Sequence, residues 1–195
     1  MVPMPLLETA ERLSDQAREM LQQVAEASIH HGLLHGNPLQ VDPTNYRDSL
    51  QATRASFVTL QKNGDLRGCI GHLEAFQPLV RDVAENAYAA AFQDPRFPPL
   101  SDREVDNLEI HISVLTPAKP MAFSSEKELI AQLRPGKDGL ILQDGYNKGT
   151  FLPSVWESLP QPEEFLKHLK LKAGLPVTHW SESLKVLRYE TESFP

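Results

Sequence analysis

The chain predicts an α+β fold: a mixed, mainly antiparallel sheet flanked by helices, with a smaller second lobe. Three observations carry that reading. Apolar residues recur at steps of three and four in the N-terminal segment and again over 79–91, the mark of helices with one buried face. Residues 108–115, LEIHISVL, alternate apolar and polar as a half-buried strand does, and Asn63-Gly64 sits between two β-rich runs as a hairpin turn. The predicted order α-β-β-α-β-α-β-β-α-β lacks the regular βαβ alternation of a doubly wound sheet.

Each element has a local cause. Leu6, Ala10, Leu13, Ala17, Met20, Leu21, Val24 and Ala27 put one apolar face on a long first helix that ends near Gly32. The following GLLHGNPLQVDPTNY has Gly and Pro at short intervals and reads as an irregular connection. A two-residue type I′ turn at Asn63-Gly64 pairs 55–62 with 65–73 and sets Lys62 opposite Asp65, Leu60 opposite Arg67 and Val58 opposite Cys69. Arg67 and Cys69 then share one face, and Leu66, Gly68 and Ile70 the other. Pro78 suits the first turn of a helix with a buried stripe of Leu79, Val80, Val83, Ala84, Ala87, Tyr88 and Ala91, and the alanines at 89–91 admit a neighbouring backbone. Pro95, Pro98 and Pro99 stop it, and Ser101 with Glu104 caps a short turn.

In the next strand Leu108, Ile110, Ile112 and Val114 face one way and Glu109, His111 and Ser113 the other. Ser125 with Glu128 caps a helix that stops before Pro135-Gly136. GLILQ and GTFLP form a second hairpin joined through Asp144-Gly145-Tyr146-Asn147-Lys148-Gly149. Pro162 starts a helix carrying Phe165, Leu166 and Leu169 that Gly174 ends, and Leu184 to Tyr189 is the last strand.

Composition narrows the function. A chain of 195 residues, 41% apolar and 23% charged, can build its core without a disulfide or metal staple. The net charge of −7 and the scattered 19 Lys and Arg residues argue against nucleic acid as a partner. No basic leader and no apolar run of about 18 residues is present, so a cytoplasmic protein with no membrane contact is expected. The single cysteine excludes an internal disulfide and any Cys-pair metal motif.

That cysteine is the first candidate. Cys69 is either a small buried hydrophobe or a nucleophile, and Arg67, about 7 Å along the strand, would favour its thiolate. Gly68 and Gly71 weaken a strand and mark a bulge or the close approach of a ligand, with Ile70 between them. Glu109, His111 and Ser113 form either a solvent face or a proton-handling one. If that strand lies beside the cysteine strand, His111 is the base for Cys69. His72 is a second proton carrier, turned away from Cys69 unless Gly71 bulges. Asp94 and Arg96 pair or hold backbone where the helix stops, and could also border a pocket. His30, His31 and His35 gather at a helix end, but spacing places no third ligand, so no metal is assigned and no cofactor is called for.

Six segments together resemble the AMMECR-type domain family, whose prokaryotic members are AmmeMemoRadiSam system protein A. They are LRGCIG at 66–71, AYAAAFQDPRFPPL at 87–100, LEIHISVLTP at 108–117, GKDGLIL at 136–142, GTFLPSVWE at 149–157 and EEFLKHLKLKAGL at 163–175. The resemblance implies one AMMECR-type domain over 1–195, with a larger sheet-and-helix part and a smaller lobe, and a site centred on Arg67, Gly68, Cys69, Ile70 and Gly71. It also implies a Memo-like protein and a radical S-adenosylmethionine protein as partners. Relatives often carry Gln where this chain has Ser154 and an acidic residue where it has His111.

Two classes of function follow. In the first, Cys69 is an activated thiol acting on a small carbonyl- or phosphate-bearing molecule, with Arg67 binding an anion or lowering the thiol pKa and His111 or His72 moving a proton. In the second, the chain is a non-catalytic binding module, with Tyr146, Phe151 and Trp156 as anchors.

Overall fold

The first helix, α1 (Asp15–His35), begins where Ser14 Oγ accepts the Ala17 N–H and ends where Gly36, at φ 71°, returns its N–H to the Gly32 carbonyl. The computed structural model describes residues 12–195. Leu6 and Ala10, expected on this helix, lie outside the described residues, and Leu13 precedes the cap. The helix runs three residues past Gly32, near which it was expected to end. A Cβ there would stand 2.4 Å from the Phe92 ring and 2.7 Å from that of Tyr88, so Gly32 sits inside α1 and makes room for a second helix.

The chain divides into two compact units. The first comprises the described residues up to 114 together with 192–195, and the second 115–191. In the first, the expected connection holds a 3₁₀ turn at 43–45 and is followed by a short helix, α2 (Asp48–Gln51). Then come β1 (Ser56–Lys62), β2 (Asp65–Gly71), α3 (Leu79–Phe92), a 3₁₀ turn at 102–107 and β3 (Leu108–Leu115). Asn63 and Gly64 have φ values of 53° and 82°, the left-handed pair a type I′ turn requires. The last strand, β8 (Thr191–Phe194), completes a sheet of order β2-β1-β3-β8, and β1 is antiparallel to both neighbours. Val58, Leu60, Ile112 and Val114 share one core with Leu21, Ile29, Val83, Ala87 and Ala90 of α1 and α3. At the point of closest approach a Cβ on Gly68 would meet the Ala90 carbonyl oxygen at 2.1 Å. The small residues at 89–91 therefore admit a strand, as their spacing predicts.

The second unit contains β4 (Lys119–Pro120), α4 (Glu126–Ala131), β5 (Gly139–Asp144), β6 (Asn147–Phe151), a 3₁₀ turn at 153–157, α5 (Pro162–Lys172) and β7 (Lys185–Tyr189). Its strands form a second antiparallel sheet, β4-β7-β5-β6. The fold is α+β as expected, with its strands divided between two antiparallel sheets. Alternation identifies each strand but carries no information on which strands pair. The second hairpin is tighter than expected: Asp144 pairs with Asn147, and Gly145 at φ 58° leads a two-residue turn. Trp156 is core and not an anchor, stacked at 3.8 Å on Phe165 with its Nε1 donating to the Asp138 carbonyl at 2.8 Å. The carboxylate of Asp138, wholly buried, accepts from Arg134 N, Nε and Nη2 at 2.6–2.9 Å.

The two packing glycines should respond differently to an added methyl group. Gly68→Ala meets backbone and is expected to cost about 1–3 kcal/mol. Gly32→Ala meets ring atoms that can swing aside and gains up to about 1 kcal/mol of helix propensity, so its net effect stays within about 1 kcal/mol. Urea unfolding of the two variants measures the contrast; equal losses would show that the Gly68–Ala90 approach does not limit the fold.

Candidate functional site

The hairpin register contains one extra residue. Lys62 pairs with Asp65 and Gln61 with Leu66, but Leu60 pairs with Gly68, Thr59 with Cys69 and Val58 with Ile70, so Arg67 bulges between. In the expected register Arg67 and Cys69 stood opposite Leu60 and Val58, both of which face the core. That would bury a guanidinium among apolar side chains without partners, at a cost of several kcal/mol. The bulge moves every later residue to the other face. Gly68 and Ile70 turn toward α3 and the core, and Cys69 turns away from it, so Arg67 and Cys69 do not share a face.

Arg67 is 8% exposed, with Nε and Nη2 engaged in structure and Nη1 buried without a hydrogen-bond partner among the described residues. Its Nε donates to Glu104 Oε1 at 2.9 Å and its Nη2 to the Pro98 carbonyl at 2.9 Å, with the Phe97 ring centroid 5.8 Å from the guanidinium carbon. Glu104 also closes the capping box on Ser101, accepting its N–H at 3.0 Å. The Arg67 hydrogen bond, then the Ser101 N–H, hold the Glu104 carboxyl well below the usual carboxylate range.

Cys69 is clamped through its backbone. Its N–H donates to Asp94 Oδ2 at 2.9 Å, and its carbonyl accepts from Arg96 Nη2 at 3.4 Å. Arg96 in turn donates to both Asp94 oxygens, at 3.0 Å from Nε and 2.7 Å from Nη2. Asp94 and Arg96 thus both pair and hold backbone, the two roles their place after the helix suggests. These bonds, Arg96 first, keep the Asp94 carboxyl far below its ordinary value, and Asp94 raises the Arg96 guanidinium. Because Cys69 directs its polar backbone outward, it meets Thr59 as a non-hydrogen-bonded pair, whose side chains approach closely. Thr59 Oγ1 lies 3.2 Å from Sγ.

His111 is not beside Cys69. It pairs with Thr59 from the far side of β1, two strand spacings or about 10 Å from the cysteine strand. His72 points to the helix side, where its Nδ1 lies 2.7 Å from Oδ1 of the buried Asp82. Asp82 also accepts from the Ser56 N–H and hydroxyl and from Asn86. The space beside Gly68 holds Ala90, and that beside Gly71 holds the Phe57 ring and the Ser56 carbonyl, within 2.4 Å of an added Cβ. Both glycines therefore serve internal packing. The His31 and His35 rings lie 4.4 Å apart, tilted by 43°, and His31 Nε2 meets Asn37 Oδ1 at 3.1 Å; no group of three metal-ligating side chains occurs among the described residues.

Sequence reasoning missed Thr59, Asp82 and the second role of Glu104. Asp82 had a signal, since it and Asn86 stand four apart on the buried side of α3, where only satisfied polar groups are tolerated. Glu104 was visible as a cap, but not as the partner of Arg67.

The fold and the clamp define a class: an α+β protein of two antiparallel sheets in which a bulged LRGCIG strand is pinned by the DPRF loop. The chain belongs to the AMMECR1 family, whose model matches residues 22–194. It is 36% identical over 186 residues to a protein of Methanothermobacter thermautotrophicus, covering 92% of this chain and 94% of that one. It is 38% identical to protein MK0488 of Methanopyrus kandleri, with 94% and 90% covered. The crystal structure of an uncharacterized protein, PH0010 from Pyrococcus horikoshii, superposes with a TM-score of 0.78 at 34% identity, covering 93% of this chain and 92% of that one. No helix among the described residues is long and apolar enough to cross a membrane.

The clamp should be acid-sensitive. Asp94 and Glu104 have lowered pKa values when folded, so each adds stability that is complete above the unfolded carboxyl range, about pH 4–5, and is lost as the pH falls toward their folded values. Denaturant titrations across the acid range should show stability falling more steeply in the wild type than in the Asp94→Asn, Glu104→Gln double variant. Parallel slopes would remove these carboxylates as the source.

Proposed function

We propose that this chain is the A component of an AmmeMemoRadiSam-type system and acts there by binding, with the Cys69 strand and its loop as the recognition edge. The observation that carries the binding reading is that both arginines near the thiol are ion-paired with carboxylates, while the group in contact with the sulfur is a hydroxyl and not a base. A catalytic cysteine needs a base or an unspent cation at its sulfur. Arg67 is ion-paired with Glu104 and Arg96 with Asp94, so a carboxylate balances each charge, and β1 lies between His111 and Cys69. The neighbour at the sulfur is the Thr59 hydroxyl.

The loop has the character of a contact surface. Arg96 is oriented by Asp94 and lies 5.5 Å from the Phe97 ring centroid, yet its side chain is 54% exposed. An arginine held in this way keeps donors for a carboxylate or carbonyl of a partner at little further entropic cost, and such arginines are common hot spots. Family membership and the LRGCIG resemblance support a Memo-like protein and a radical S-adenosylmethionine protein as the partners.

The test is co-purification with those two proteins from the same genome, using the wild type, Cys69→Ser and Arg96→Ala, each checked by circular dichroism to be folded at the assay temperature. Cys69→Ser should bind within about twofold of wild type and Arg96→Ala about tenfold or more weakly. Loss of the assembled system's activity in a folded, still-binding Cys69→Ser variant would instead establish thiol chemistry.

A further inference from the structure

We infer that a cavity between α1 and the start of β3, apart from the Cys69 strand, binds a short-chain primary alkylammonium ion. The cavity, about 100 Å³, is lined by Glu26, Ile29, His30, Val105, Leu108 and Ile110. Its floor is apolar: Ile29 and Ile110 are 1% and 8% exposed, and Val105 and Leu108 pack on the same core. Its rim carries a carboxyl group and an imidazole. Glu26 and His30, four apart on α1, stand on one face of the helix and have no hydrogen-bond or ion-pair partner among the described residues. One turn earlier Gln22 donates Nε2 to the Ile110 carbonyl at 2.9 Å, which leaves its Oε1 buried and unpartnered at the wall Ile110 shares with the cavity.

Size and polarity select the ligand. A dry apolar cavity of about 150 Å³ takes a benzene ring, so this smaller one suits an alkyl chain of about three carbons. The Glu26 carboxylate at the cavity favours a group that donates, and a primary ammonium has three donors. An anion would face Glu26 and a chain with a net charge of −7. A bare metal ion would find two side-chain ligands and an apolar floor, short of what a metal site needs.

The experiment titrates n-propylammonium chloride into the full chain carrying labelled isoleucine methyl groups, with n-propanol and sodium propionate as matched controls. The expected result is a saturable shift of the Ile29 and Ile110 methyl resonances in the millimolar range, which a ligand of four heavy atoms can reach. Glu26→Gln, an exposed helix position, should weaken that binding about tenfold or more while leaving the unfolding midpoint unchanged. Absence of a saturable shift at these methyls, equal shifts in Glu26→Gln, or equal binding of propionate would each overturn the assignment.

Discussion

The arrangement around Cys69 depends on one extra residue in β2. Strand alternation has a period of two, so a single inserted position exchanges the faces of everything beyond it. At Arg67 that exchange is forced by charge. The unbulged register would set a guanidinium opposite the fully buried Leu60, and the bulge instead carries it to Glu104 and the Pro98 carbonyl. The same step puts Gly68 under α3, where nothing larger than hydrogen fits, and turns Cys69 off the core face. A glycine-rich motif that reads as a ligand cradle is therefore, in large part, the solution to a packing problem.

Two buried carboxylates secure that solution from either end. Asp82, on the first turn of α3, ties the start of β1 to the end of β2 through Ser56 and His72. Asp94, just beyond the same helix, holds the middle of β2 through the Cys69 N–H and keeps Arg96 extended along the strand edge. An edge strand normally presents unpaired backbone groups, and here the DPRF loop occupies those of Cys69. Each carboxylate is surrounded by donors, as burial of a charge requires. The helix is thereby fastened to the hairpin by charge-assisted hydrogen bonds at both ends and by close backbone contact at Gly68 and Ala90 in its middle.

Much of this was legible in the residues. Period and caps located α1, α3, α4, α5 and the strands, because helix starts and tight turns are written in Ser, Pro, Asn and Gly over a few positions. Asn63-Gly64 marked its turn by the same logic. Gly32 misled for a clear reason: a glycine that ends a helix and one that lets a second helix approach look alike until the second helix is placed. Short elements such as β4, α2 and β8 carry too few residues for a period to show.

What the sequence determined by itself was local: the element types, the turns, the apolar faces, the absence of cysteine-pair chemistry, and a resemblance strong enough to identify the family. Tertiary structure alone decided which strands share a sheet, where the bulge falls and which charges meet. Those outcomes depend on groups distant in the chain, Arg67 with Glu104, Cys69 with Asp94 and Gly68 with Ala90, whose pairing is set by the cost of burying a charge unpaired or forcing two backbones into one space. Sequence spacing cannot register such costs, because they arise only when the core closes.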